Sequence, residues 1–172
     1  SDYDKEEIKR QFSISTTMVP IEYEGAEGKI KINLLDTPGY FDFVGEVEEA
    51  VSAADAAIIV VNCKAGIEVG TEKAWDLCEE YKLPRIIFVT NMDDDHASFR
   101  ELILKLEKKF GRKIAPFQVP IRENEKFVGF VNAVKMQGRR FTNLSDYEDC
   151  EIPEYTKKNL GIIRDALIEA VA

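Results

Sequence analysis

Two short apolar strand segments constrain this chain more than any other feature: Ala56-Ala57-Ile58-Ile59-Val60-Val61, and Arg85-Ile86-Ile87-Phe88-Val89-Thr90 with its apolar centre Ile86–Val89. A strand that is apolar at every position, without alternation, suits a parallel sheet covered on both faces. Between the runs, Ala74, Trp75, Cys78 and Tyr81 recur at helical spacing, and after the second run Phe99, Leu102, Ile103, Leu106 and Phe110 do the same. Upstream, Ile30, Ile32 and Leu34 alternate along Lys29–Leu35, predicting a strand with one buried face. Val44, Val47, Ala50, Val51 and Ala54 then predict a helix, and Ile114–Ile121 reads as a further strand interrupted by Pro116 and Pro120. Strand and helix alternate. The expected class is therefore α/β with a mainly parallel sheet.

After about residue 121 the rhythm changes. Phe127–Val131 and Val134–Phe141 read as two β segments with no crossover helix between them, followed by a polar, acidic stretch from Thr142 to Glu151. Pro153 suits the first turn of a helix carrying Leu160, Ile163, Ala166, Leu167 and Ala170. This tail reads as an insertion or subdomain. The formal charge of −9 argues against a nucleic-acid-coating protein, which needs a cationic surface, without excluding one local RNA contact. No apolar run approaches the roughly 18 residues that span a bilayer, and the amino terminus is no signal peptide. Cys63, Cys78 and Cys150 are odd in number and unclustered, which points to a reducing cytoplasm rather than a disulfide framework or zinc site.

Ligands of open α/β sheets bind beyond the carboxyl ends of the strands. Two loops sit at such ends: Asp36-Thr37-Pro38-Gly39 and Thr90-Asn91-Met92-Asp93. Gly39 lacks a Cβ, so its amide can approach an anion, and Asp36 is a hard oxygen ligand suited to Mg²⁺. Taken alone, the first loop could equally be a tight turn.

The segment Ile32-Asn33-Leu34-Leu35-Asp36-Thr37-Pro38-Gly39-Tyr40-Phe41-Asp42-Phe43-Val44-Gly45-Glu46-Val47 resembles switch II of translational GTPases of the elongation factor G type. Arg10-Gln11-Phe12-Ser13-Ile14 resembles the end of their switch I, and Pro84–Val89 leads into the base-recognition loop. Phe127–Val131, Lys135-Met136 and Ile152-Pro153-Glu154 are similar to the subdomain inserted in that G domain. The resemblance covers nearly the whole chain, in order. It implies an incomplete P-loop NTPase fold, Ras-like and doubly wound. Residues 1–121 would be a partial G domain and 122–172 the start of an inserted α+β subdomain. It also implies GTP and Mg²⁺ as ligands, with Ser13 and Asp36 on the metal, and Asp36, Thr37, Pro38, Gly39, Thr90, Asn91 and Asp93 on the nucleotide. Asp93 would accept from the guanine N1–H and 2-amino group; adenine lacks that donor pair. The parent protein would hydrolyse GTP on the ribosome in the cytoplasm, without a membrane.

Three departures stand out. Tyr40 follows Asp-Thr-Pro-Gly where the family has a water-positioning histidine; a phenol is a poor base near neutrality but can orient water. Thr90-Asn91-Met92-Asp93 replaces Asn-Lys-x-Asp, keeping the carboxylate and losing the amide and the long lysine stem. Sliding the register to Asn91–Asp94 restores Asn and Asp, but Phe88-Val89 and Ala97-x-Phe99 align without a gap only in the first register. Finally, no Gly-x-x-x-x-Gly-Lys-[Ser/Thr] occurs; Gly66–Thr71 is too short and has no lysine. The family places that loop upstream of switch I, so truncation is the expectation, with weak or absent GTP binding by these residues alone. The strands ending at Asp36 and near Asn62 would flank a missing central strand. They would then pair directly, or two chains would complete each other's sheets through the exposed edges. A tetracycline-resistance ribosomal protection protein, a release-factor GTPase and a non-catalytic ribosome-interaction module are the alternative readings.

His96 beside Asp94 and Asp95 could mark a metal or proton-transfer site, but a helix-capping turn before Phe99 accounts for it more simply. Asp93-Asp94-Asp95 is similar to the acidic Mg²⁺ pocket of a phospho-accepting receiver domain, but the Thr-Pro-Gly turn and the switch-like flanks do not fit that class. Lys105, Lys108, Lys109, Arg112 and Lys113 read as a solvated helix end, and Trp75 as packing.

Overall fold

The two apolar runs form β3 (Ala57–Asn62) and β4 (Arg85–Thr90), which pair in a two-stranded sheet. The Ala57 N–H donates to the Pro84 carbonyl at 2.9 Å and the Cys63 N–H to the Thr90 carbonyl at 3.0 Å, the same offset at both ends, so the strands run parallel. The computed structural model describes residues 2–25, 28–94, 96–111, 113–143 and 146–171. Arg112 and Asp95 lie outside them. By contact the chain divides into two compact units, Ser1–Val60 with Glu68–Phe88, and Val61–Ile67 with Val89–Ala172.

In the first unit, α1 (Lys5–Arg10) opens on a capping box, with the Asp4 and Glu7 side chains reciprocally bound to backbone amides. β1 (Thr17–Gly25) and β2 (Gly28–Asp36) follow as an antiparallel pair, with Val19, Ile21 and Tyr23 opposite Leu34, Ile32 and Ile30. The other face pairs Glu22 with Lys31 and Glu24 with Lys29. A 3₁₀ turn (Phe41–Phe43), α2 (Val44–Ala53) and α3 (Val69–Glu80) complete the unit. Trp75 on α3 is buried under the Arg85 guanidinium, 3.8 Å from its ring centroid, as a packing residue.

Three expectations need correction here. The Ile30/Ile32/Leu34 face is not buried: Ile30 is 52% exposed. β3 and β4 are covered on one face only, since Ile59 is buried while Ile58, Val60, Ile86 and Phe88 are each more than half exposed. Among the described residues no layer packs on that side. And β2 and β3 do not pair with each other; they belong to separate sheets.

The second unit carries α4 (Phe99–Phe110) and a four-stranded sheet, β5 (Gln118–Glu123), β6 (Lys126–Asn132), β7 (Gln137–Phe141) and β8 (Tyr147–Cys150), in that order and antiparallel throughout. Leu102 and Leu106 are buried from the α4 stripe. A second core gathers Ile121, Val131, Ala133 and, from α5 (Glu154–Val171), Leu160. The strand expected over Ile114–Ile121 instead starts at Gln118 and joins β6. Pro120 is tolerated because β5 is an edge strand. Among the described residues, parallel pairing is thus met only at β3–β4. The other paired strands, β1–β2 and β5 to β8 in succession, are joined by connections too short for a parallel crossover, so they run antiparallel.

Candidate nucleotide-binding loops

In the first unit, register decides which segments meet. Thr17 lies opposite Asp36, so residues 13–16 leave β1 at the end where Asp36–Tyr40 leaves β2. The Thr16 N–H donates to the Glu46 carboxylate at 2.7 Å and its hydroxyl to the Glu46 carbonyl at 3.1 Å, tying this segment to α2. The Phe12 ring lies 4.6 Å from that of Tyr40 and 6.4 Å from that of Phe43. The Ser13 hydroxyl donates to Asp2 at 2.8 Å. Asp36 is half-buried and engaged within the protein, Pro38 is buried, and Gly39 and Tyr40 are exposed. A Cβ added at Gly39 would meet no atom within 4 Å, so the fold leaves open space there for a close approach. The Tyr40 hydroxyl makes no hydrogen bond among the described residues.

Glu7 anchors the Ser13 segment. Its carboxylate accepts the Ile14 N–H at 2.8 Å, the Ser15 N–H at 3.1 Å and the Asp4 N–H at 3.2 Å. The Ile14 amide first, then that of Ser15, holds this carboxyl below its ordinary value. A depressed folded value means the anchoring is complete above the usual glutamate pKa of about 4.3 and is lost as the pH falls through the lower folded value. We expect the Ile14 and Ser15 amide resonances to shift together in that acidic window and to stay unchanged between pH 6 and 8; Glu7→Gln should abolish the titration. A midpoint near neutrality would contradict this assignment.

In the second unit the loop after β4 is braced from two sides. Asn91 adopts a left-handed conformation (φ 54°), and its side-chain carbonyl accepts from the Asn62 amide at 3.0 Å. The Asn62 side chain in turn accepts the Lys64 and Ala65 N–H groups, closing the turn after β3. Lys64 pairs with Asp94 at 3.2 Å, and Asp94 caps the His96 N–H at 2.9 Å. That amide, then Lys64, holds the Asp94 carboxyl below its usual value. His96 thus lies in the turn before Ser98, whose side chain caps α4. Arg122 on β5 donates to the carbonyls of Met92 at 2.8 Å and Ala97 at 3.0 Å. Met92 and Ala97 are buried, whereas Asp93 is exposed and makes no hydrogen bond or ion pair among the described residues. The Thr90 hydroxyl lies 3.5 Å from the Val61 carbonyl, turned back onto β3. Beside the loop, a depression of about 30 Å³ lined by Cys63, Lys64, His96 and Glu101 has room for water and not for a base.

Ser13, Asp36, Thr37, Pro38, Gly39 and Tyr40 therefore belong to the first unit, and Thr90, Asn91 and Asp93 to the second. Asn62, Lys64 and Arg122 are the loop-bracing residues that sequence reading passed over. The strand-end rule that selected Thr90 would have found Asn62; nothing in the sequence marks Arg122.

Both loops lie at the carboxyl ends of strands, where α/β folds bind their ligands. Residues 1–169 match the elongation factor Tu GTP binding domain. The chain belongs to that family, as an elongation factor G-like translational GTPase domain. It is 37% identical over 168 residues to the elongation factor G-like protein of Thermotoga maritima, covering 98% of this chain and 24% of that protein. The elongation factor G-like protein of Mycobacterium tuberculosis is 31% identical over 175 residues, covering 99% and 24%. A crystal structure of a Thermus thermophilus protein superposes with a TM-score of 0.89 at 32% identity, covering 99% of this chain and 25% of that one. The chain spans about a quarter of the length of these relatives. No helix among the described residues is long and apolar enough to cross a membrane.

Proposed function

We propose that these residues form part of an elongation factor G-like protein that binds and hydrolyses GTP in the cytoplasm to drive translocation on the ribosome. The observation that carries this reading is Asp93: an exposed carboxylate at a strand end, without a hydrogen bond or ion pair among the described residues, in a loop braced on both sides. In this reading Asp93 selects guanine, with Thr90 and Asn91 shaping the loop. Asp36, Thr37, Pro38 and Gly39 face the γ-phosphate, and Tyr40 orients the attacking water through its hydroxyl. Residues 1–121 are the G-domain part and 122–172 the start of an inserted subdomain, whose sheet also takes in β5.

The donor set suits Mg²⁺, which takes one or two protein oxygens and leaves the rest to phosphates and water. Asp36 supplies a carboxylate. The Ser13 hydroxyl, donating to Asp2, keeps lone pairs on its oxygen, and the β1–β2 register brings its segment to the Asp36 end. Mg²⁺ held there would neutralise charge on the phosphate oxygens. Loss of γ-phosphate contacts would then release the Ser13 and Asp36 segments, the order–disorder step of such switches.

Without a Gly-Lys-Ser/Thr loop, the 172 residues alone should bind GTP weakly or not at all, and the edges of β2 and β3, unpaired among the described residues, should favour self-association. Calorimetry with Mg²⁺ and GTP, paired with sedimentation, tests both; tight binding or a strictly monomeric species would overturn the respective statement. Tyr40 in the histidine position favours one second reading, a non-catalytic ribosome-interaction module. Turnover by the full-length protein with and without ribosomes separates the two: ribosome-stimulated hydrolysis supports the enzyme, and none in either condition supports the module.

A further inference from the structure

We propose that Arg122 is a positioning residue for base recognition, holding the loop that presents Asp93 in its reading conformation before nucleotide arrives. The proposal rests on the assignment of Asp93 to guanine. One terminal nitrogen of the guanidinium bridges the carbonyls of Met92 and Ala97, which bracket Asp93, at 2.8 and 3.0 Å. The other donates to the Glu125 carbonyl at 2.7 Å. That carbonyl belongs to the turn between β5 and β6, where Asn124 and Glu125 are both left-handed, with φ of 48° and 67°. The Arg122 backbone is fixed as well, its N–H donating to the Tyr155 hydroxyl of α5 at 3.1 Å.

Local geometry explains how a strand residue reaches this loop. The β5–β6 register shifts between Ile121 and Arg122. A bulge re-aims a side chain and bends its strand. Ile121, just before the shift, stays buried in the core at 3% exposure, while Arg122 is turned onto the Met92 and Ala97 carbonyls. On the loop's other side Asn62 holds Asn91 and Lys64 holds Asp94. Position 93 is thus flanked by tethered residues, and its own side chain is left for ligand. A loop ordered in advance spares the ordering entropy that binding would otherwise incur. Lysine could not replace this arrangement, because a point ammonium lacks the planar fork that serves carbonyls in several directions at once.

The test uses the full-length protein and the affinities of GDP and of inosine diphosphate, which lacks the 2-amino donor. With both carbonyl bonds to the Asp93 loop lost, Arg122→Met should weaken GDP about 10- to 30-fold, weaken the inosine nucleotide less, and so narrow the ratio between them; Arg122→Lys should recover part of that ratio. A merely structural role would lower both affinities together. If Arg122→Met is not folded, Arg122→Lys alone decides: an unchanged ratio overturns the proposal. Asp93→Asn, run in parallel, separates the two levels. Should it switch preference to xanthosine nucleotide while the arginine variants leave the ratio intact, only the positioning role falls. Should it fail to switch, the base assignment falls and takes this proposal with it.

Discussion

Replacing Asp93 by Asn in the full-length protein should lower GTP affinity on the order of 10²-fold or more and invert the preference toward xanthosine triphosphate. A carboxylate offers only acceptors, matching the guanine N1–H and 2-amino donors together. Hydrogen bonds to a charged group are each worth about 1.5–3 kcal/mol, so losing their match outweighs any single contact elsewhere in the loop. The carboxamide still accepts from N1–H and now donates, which suits the carbonyl that xanthine carries in place of the amino group. The structure supplies the precondition: Asp93 is exposed and makes no hydrogen bond or ion pair among the described residues that the substitution would break. Competition binding with the two triphosphates reads the result, and parallel loss of both would argue against base contact.

A second large effect is expected in the β5–β8 sheet. Gly129 sits in β6, paired with Ile121 on one side and Arg140 on the other. A Cβ there would collide with the Arg139 carbonyl oxygen and press on the Arg140 backbone, neither of which can rotate away. Gly129→Ala should therefore destabilise this unit by about 3 kcal/mol, the upper end of ordinary overpacking, because Val131 and Ile121 of the core move with their strands. Gly161 gives the contrast. It lies in α5, exposed, where an added Cβ would meet nothing within 4 Å and φ is not positive. Gly161→Ala should stabilise by about 0.5–1 kcal/mol through helix propensity. Urea unfolding of the two variants should give shifts of opposite sign; equal shifts would mean that strand crowding is not what selects glycine at position 129.

Elements with a strong period or an uninterrupted apolar run were legible in the sequence. β4 occupies Arg85–Thr90 as expected, and the α4 stripe buries Leu102 and Leu106. Short or edge elements were not. α1 has six residues, too few for an apolar period, and its local signs are the Asp4/Glu7 capping box with acidic residues in the first turn and basic ones in the last. β1 hides its Val19/Ile21/Tyr23 alternation behind Pro20, and β8 (Tyr-Glu-Asp-Cys) has no apolar face to read. Burial failed for a different reason: the pattern of Ile30, Ile58 or Phe88 states that a face seeks cover, not that these residues provide it. At the site, strand ends located the Asp36 and Asp93 loops. The braces from Asn62, Lys64 and Arg122 come from residues about thirty positions away and exist only once the chain has folded.

The account depends on the Asp36 and Asp93 loops serving the two ends of one nucleotide. A structure of the full-length protein with Mg²⁺ and a non-hydrolysable GTP analogue tests this most directly. It should place the Asp93 carboxylate about 3 Å from guanine N1 and the 2-amino nitrogen, with Asp36 and the Gly39 amide at the γ-phosphate end of the same molecule. Nucleotide contacting only one of the two loops, or carboxylates too far apart for a single triphosphate to span, would contradict it.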